Sequence, residues 1–455
     1  MSLRALTVGL CMTVVAIAFE AMAVVTAMPV AARELDGLAY YAWAFSLFMI
    51  GMLFATVVTG RLSDRIGPPR PLLVGLAVFA AGLIVAGTAT TMLQLLGGRL
   101  VQGLGSGALN TAAFVIIAQE FDEHRRPRMF TYISTAWVLP AFFGPPIAAW
   151  LTDRLSWHWV FFSVLPLAAL GGAMVLPTLL RLMSTKRPPR VRKGARPAPI
   201  WAAAMVAVAV AALQLAGQRL DLWSLPLLAV GLTGLGLALP RLMPRGFFRI
   251  GRGLSSVVWV GGLLRGSFFG AEAFIPLMLV EQRALDLFLA GAVLTVGSVG
   301  WTAASWLQSQ PWVRIRRDRL ISAGTVSVGL GVALCAVVAA IEGLWFGLVA
   351  VGWLFAGFGM GLATASTSLV TMTLSPLTDQ GRNAASLTLG EALGSSVFVG
   401  VSGSIFAALK PSGNLPLTFA PVMAAMLGVA VLALLASLRV GQVTNESYEP
   451  RRPGA

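Results

Sequence analysis

Charge is scarce in this 455-residue chain: Asp, Glu, Lys and Arg make up 11% of it, against about 25% in ordinary soluble domains. Acidic groups are the scarcest, 18 against 33 Lys and Arg, and there are only two histidines and two cysteines. So little charge beside 57% hydrophobic residues and a mean hydropathy of +0.82 excludes the two or three soluble domains that the length alone would suggest. Cys11 and Cys335 both fall in apolar runs, so no disulfide framework is implied. Nothing in the sequence resembles a metal-ligand cluster, a phosphate-binding loop or a nucleophile triad. ATP-driven transport and catalysis therefore have no support, and we expect no enzyme, no metal and no cofactor. What the chain does have is long apolar runs from end to end, which read as an all-α, polytopic membrane protein.

A span expectation of about 20 residues gives fourteen apolar runs, near 5–31, 39–59, 71–91, 94–119, 129–151, 158–181, 199–217, 223–239, 254–279, 287–308, 320–341, 344–374, 384–409 and 418–438. If the chain starts inside, the inner connections and the two termini carry 26 of the 33 Lys and Arg. The outer connections carry five (Arg33, Arg154, Arg219, Arg283, Lys410), and two lie within spans (Arg99, Arg265). The positive-inside rule then places both termini in the cytoplasm. The net charge of +15 is accordingly a matter of orientation and contact with anionic membrane lipids, not a nucleic-acid footprint. The first run follows Arg4 like a signal peptide but is too long and is interrupted by Glu20, so it reads as an uncleaved span.

The rare charges at membrane depth are functional candidates by default. Arg99, Gln102, Ser106 and Asn110 fall at i, i+3, i+7 and i+11 and share one helix face. Arginine does not shed its proton, so this face should turn toward a protein-lined interior. Gly103 and Gly107 form a small-xxx-small pair for a close neighbour. Glu20 in span 1 must be either protonated or paired. Its pairing with Arg99 is one expectation; bonding of Arg99 to carbonyls freed in the proline-rich span 5 is the other. In span 9, Arg265 and Glu272 are seven apart with Phe269 between them, either a site or a self-neutralising structural pair. Span 12 carries Thr364, Ser368, Thr371 and Ser375 on one face, and span 13 carries Thr388, Glu391, Ser395 and Ser402.

Between spans 2 and 3 runs Gly60-Arg61-Leu62-Ser63-Asp64-Arg65-Ile66-Gly67-Pro68-Pro69-Arg70. It resembles the signature loop of the major facilitator superfamily, with two prolines where the family has basic residues directly after the second glycine. That resemblance implies a conformational latch formed by Gly60, Asp64, Arg65, Gly67 and Arg70. Arg99-x-x-Gln102-Gly103-x-Gly105 is similar to the fourth-helix segment of proton-coupled members. Pro140-Ala-Phe-Phe-Gly144-Pro145-Pro146-Ile-Ala148-Ala149 resembles the antiporter motif G-x-x-x-G-P-x-x-G-G, matched at Gly144 and Pro145, with Pro140 in place of the first glycine. Ser156-Trp157-His158-Trp159-Val-Phe-Phe-Ser163-Val-Leu-Pro166 reads as an aromatic interface belt and also resembles the W-R-W-x-F-x-x-N-x-P stretch of fourteen-span drug:proton antiporters. Glu20 and Pro29 keep the nine-residue spacing of Asp and Pro in the first-span pattern of that group.

The expected architecture is two six-helix bundles, 1–182 and 254–438, with a basic, Pro-rich linker at 183–198, two additional helices at 199–240, a basic loop at 241–253 and a disordered cytoplasmic tail at 439–455. The two additional helices should pack outside the bundles, and the loop Gln308–Arg319 should serve orientation rather than gating. The resemblance implies a monomeric proton antiporter in the inner (plasma) membrane. It would export lipophilic or amphipathic small molecules, antibiotics among them, using the proton gradient alone. Glu20, Arg99, Glu272 and Glu391 would couple the proton. Arg265, Phe269, Gln102, Asn110, Thr364 and Ser368 would meet substrate. A dedicated metabolite or lipid exporter on the same fold stays open, as does a non-transporting membrane receptor.

Overall fold

The computed structural model describes residues 3–122, 124–184, 199–219, 221–244, 246–249, 251–310, 312–313, 315–376 and 380–443. The linker expected at 183–198 falls beyond Ser184 outside the described residues, as does the tail beyond Val443. The described chain is helical, with no strand. The first bundle comprises α1 (Leu3–Glu34), α2 (Trp43–Ile66), α3 (Pro69–Gly87), α4 (Met92–Glu120), α5 (Arg126–Arg154), α6 (His158–Phe162) and α7 (Val164–Ser184). Then come α8 (Ile200–Arg219) and α9 (Ser224–Leu242). The second bundle comprises α10 (Leu254–Glu272), α11 (Ile275–Arg283), α12 (Leu287–Gln308), α13 (Arg317–Ala340), α14 (Gly347–Thr373), α15 (Gln380–Leu409) and α16 (Leu415–Ser437).

Among the described residues thirteen helices or helix pairs are long and apolar enough to cross a membrane. The fifth expected span is the 29-residue α5, which is not among them because its prolines, serine and threonines lower its mean hydropathy. Expected span 6 is broken at Ser163 into α6 and α7, and span 9 at Ala273–Phe274 into α10 and α11. Pro276 explains the second break: it has no N–H to give the carbonyl of Glu272 four residues earlier.

Each bundle is built round a glycine-bearing helix wedged between two neighbours. A Cβ on Gly103 or Gly107 of α4 would strike the backbone of Phe48 or Met52 on α2, and α4 also packs against α3. In the second bundle a Cβ on Gly357 or Gly361 of α14 would strike the backbone of Gly297 or Trp301 on α12, and α14 also packs against α13. The repeated arrangement is what two parallel repeats of one six-helix unit produce.

The bundles meet through α5 with α12, α2 with α15 and α1 with α11. Arg33 Nε donates to Glu281 Oε1 at 2.6 Å and the Tyr41 hydroxyl donates to the Ala273 carbonyl at 2.7 Å. The Tyr41 ring lies 5.3 Å from Phe274 and 6.5 Å from Phe406, so an aromatic cluster seals this end. At the opposite end Asp64, Arg65 and Arg70 are exposed, and their side chains make no ion pair or hydrogen bond among the described residues. α8 packs against α2 and α15, one helix from each bundle, and Trp43 Nε1 donates to Gln218 Oε1 at 2.5 Å. α9 lies on α8.

Two expectations are corrected. The tail is not disordered from Arg439: the Gly253 N–H donates to the Arg439 carbonyl at 3.2 Å, Val443 N–H donates to Asp318 Oδ1 at 3.3 Å, and Val440 and Val443 are buried. The aromatic belt is only partly a belt. Trp159 is exposed, but Trp157 is fully buried, donates from Nε1 to Glu34 Oε2 at 2.7 Å and stacks on His158 at 3.7 Å.

Candidate functional site

Glu20 projects from the middle of α1 and Arg99 from the first half of α4, and the two form an ion pair whose side chains are 0% and 3% exposed. Arg99 Nη1 donates to Glu20 Oε1 and, at 2.6 Å, to Gln102 Oε1; Nε donates to the Ala44 carbonyl of α2 at 2.9 Å. The guanidinium carbon also sits 4.4 Å over the Phe48 ring, a geometry in which the ring face attracts the cation. Arg99 thus bonds both a carboxylate and a backbone carbonyl, but the carbonyl belongs to α2 rather than to the proline-rich α5. Glu20 Oε2, Gln102 Nε2 and Ser106 Oγ remain buried without a hydrogen-bond partner. Asn110, on the same helix face, is half-buried.

The second bundle holds its own pair. Arg265 of α10 places Nε 3.1 Å from Glu391 Oε2 of α15, with side chains 24% and 13% exposed. Glu391 packs over Gly261, where a Cβ would lie 3.2 Å from Glu391 Cγ. The contact is an ion pair without hydrogen-bond alignment, since Arg265 Nε is buried with no hydrogen-bond partner. The spacing of Arg265 and Glu272 leaves two readings open, a functional site or a self-neutralising pair within one helix. The structure instead sends Arg265 across to α15 and leaves Glu272, 8% exposed, with no hydrogen bond or ion pair among the described residues. Phe269 is half-buried against Phe268, centroids 5.4 Å apart, and Phe268 stacks on Trp353 at 4.5 Å.

The other candidates scatter. Thr364 is half-buried and Ser368 exposed, whereas Thr371 and Ser375 are buried, and the Ser368 and Thr371 hydroxyls donate to carbonyls of their own helix at 3.0 and 2.8 Å. In α5, Pro140, Gly144 and Pro145 are buried. A Cβ on Gly144 would meet Met22 of α1 at 3.1 Å, and one on Gly291 of α12 would meet Pro145 at 3.3 Å. The proline-rich stretch therefore joins the two bundles. α5 stays helical through its three internal prolines. Pro146 leaves the Phe142 carbonyl without its helical donor, and the Thr295 hydroxyl of α12 donates to it at 3.4 Å.

In the loop after α2, Gly67 has φ +81°, a conformation that favours glycine, whereas a Cβ on Gly60 would meet nothing. Sequence reasoning missed Gln308, whose Nε2 donates to the Gly361 carbonyl at 2.6 Å and whose Oε1 accepts from Ser366 at 3.1 Å. It also missed the Arg33–Glu281 and Tyr41–Ala273 contacts. Nothing local marks any of these, because each depends on which helices the fold makes neighbours.

Comparison with known proteins agrees with this geometry. The family model described as Major Facilitator Superfamily matches residues 10–399. The chain is 26% identical over 426 residues to "Efflux pump roqT" of Penicillium rubens, covering 88% of this chain and 77% of that one. It is 34% identical over 170 residues to "Multidrug resistance protein 3" of Bacillus subtilis, 37% of this chain and 33% of that one. It is 28% identical over 169 residues to the "Acurin A biosynthesis cluster MFS-type transporter" of Aspergillus aculeatus, 37% of this chain and 30% of that one. A solved POT family transporter in complex with 5-aminolevulinic acid shares the fold, with TM-score 0.70 at 15% identity over 95% of this chain and 96% of that one. With its repeated six-helix bundles and its matched length, this multi-pass membrane chain belongs to the Major Facilitator Superfamily.

Proposed function

We propose that the protein is a proton-coupled exporter of lipophilic or amphipathic small molecules that works by alternating access. The observation that carries this reading is the buried Glu20–Arg99 pair joining α1 and α4. A charge pair taken out of water recovers its desolvation cost only in good geometry, so a protonation that neutralises Glu20 redistributes the bonds Arg99 makes. Such a switchable contact is what a transporter needs if proton occupancy is to bias two arrangements of its halves. The names of the relatives, an efflux pump and a multidrug resistance protein, support export as the direction.

With both termini cytoplasmic, the sealed end is the outer one and the open latch is the inner one. This is the inward-facing arrangement, in a monomer of fourteen spans in the plasma membrane. The gradient is the only energy source, so no cofactor is required. A second reading, export of one dedicated metabolite, is favoured by the similarity to a transporter named for a biosynthesis cluster.

The test is pH-driven efflux of a fluorescent lipophilic compound from energised vesicles. Glu20→Gln should lower the gradient-dependent rate at least tenfold, and a rate equal to wild type removes Glu20 from the coupling role.

A further inference from the structure

Arg265 stands between two carboxyls. It meets Glu391 of α15 at 3.1 Å, and Glu272 lies seven residues further along its own helix. Seven residues advance a helix by about 10 Å and return to the same face within about 20°, a gap that an extended arginine and a glutamate span between them. Glu272 is 8% exposed and has no partner among the described residues. It sits where α10 ends, because Pro276 cannot bond its carbonyl. An unpaired carboxylate so placed is strongly unfavourable, so the neutral acid is the form that fits this arrangement.

The Arg265–Glu391 contact is built to be exchanged. Its side chains are 24% and 13% exposed, against 3% and 0% for Arg99 and Glu20. Arg99 is held by three acceptors, whereas Arg265 makes one unaligned contact, and its Nε has no hydrogen-bond partner.

We propose that Arg265 is a switch arm whose transfer from Glu391 to Glu272 exchanges a lipophilic cation for a proton. This rests on the exporter reading and narrows its cargo to compounds with a permanent or ammonium-type positive charge. The cargo cation forms an ion pair with the Glu391 carboxylate, and the Arg265–Glu391 pair breaks. The guanidinium pairs with Glu272, whose O–H bond breaks with the electron pair left on oxygen, and the proton leaves to water. One positive charge enters and one leaves, so the site stays neutral.

The other ionisable groups on described elements packed against α10 lie away from this arm. Glu281, Arg283 and Lys410 are at one end of the bundle, and Arg249, Arg317, Asp318 and Arg319 at the other. Cys335 on α13 is fully buried, and Tyr41, which precedes α2 and lies nearest the arm, has its hydroxyl committed to the Ala273 carbonyl.

The experiment is equilibrium binding of tetraphenylphosphonium, which cannot itself release a proton, to the purified full-length protein between pH 5.5 and 8.5. One proton released per cation bound makes the wild-type Kd fall about tenfold per pH unit while Glu272 titrates. Glu272→Gln should flatten that dependence, and Glu391→Gln should weaken binding at least tenfold. Arg265→Gln, which removes the competitor for Glu391, should bind more tightly at pH 8.5, and its binding shows at once that the variant is folded. A wild-type slope retained in Glu272→Gln, or no binding by wild type, overturns the proposal. Gradient-driven flux of an uncharged amphiphile separates the two readings. Flux together with either of those overturning results sinks the cation switch and leaves the exporter standing, whereas absence of flux for every compound tried sinks the exporter.

Discussion

Two arginines at membrane depth meet their carboxylates on different terms. Arg99 donates to three acceptors at once, Glu20, Gln102 and the Ala44 carbonyl, while Arg265 touches Glu391 alone and stays partly open. Breaking a fully buried pair by removing one partner costs about 3–5 kcal/mol, because the other charge is left uncompensated. Arg99→Leu should therefore melt well below wild type at pH 8. The deficit should shrink at pH 5, since a lone Glu20 loses its charge by taking up a proton. Glu20→Gln combined with Arg99→Leu should recover most of the loss at both pH values. Thermal melting of the three proteins in detergent reads this out, and an Arg99→Leu deficit that does not change with pH contradicts it.

Helices in this chain meet through positions that only glycine can occupy, and the cost of filling them depends on what stands opposite. A Cβ on Gly262 of α10 would lie 2.7 Å from the Gly390 carbonyl oxygen of α15, a backbone atom that cannot swing aside, whereas Gly60 faces open space. Gly262→Ala should destabilise by about 1–3 kcal/mol as an overpacked contact, and Gly60→Ala, inside α2, should hold or slightly raise the melting temperature. Equal effects on melting would show that these approaches do not govern the packing.

The helices themselves were legible in the sequence because a run of about 20 apolar residues has one inexpensive structure in a bilayer. The charges at depth were legible for the same reason. Partner choice was not. The i, i+7 spacing put Arg265 and Glu272 on one face, yet the fold brings Glu391 of α15 over Gly261 and into contact with Arg265. The breaks at Ser163 and Ala273–Phe274 also escaped, because hydropathy averages over a window and does not register one missing N–H.

At the scale of the molecule, the bundles are sealed at one end by Arg33–Glu281 and the Tyr41 cluster, and that seal contains a like-charge element. Asp153 at the end of α5 is held above its ordinary value, first by partial burial and then by Asp286 at the start of α12, with Arg154 opposing. An acid that binds its proton more tightly in the sealed state favours that state as pH falls and works against it once pH rises past its value. Asp153 is exposed, so screening keeps the effect below about 1 kcal/mol. Spin labels on exposed Leu155 and Phe288, read by pulsed distance measurement, should show the short-distance population rising from pH 8 to pH 5. Asp153→Asn should hold that population high at both pH values.

The most direct measurement is on the wild-type protein alone. Purified and reconstituted into liposomes with an imposed pH gradient, it should accumulate a lipophilic fluorescent compound against its concentration, and a proton ionophore added in mid-course should release what was accumulated. Accumulation that survives collapse of the gradient, or a gradient that drives no compound at all, would contradict proton-coupled export.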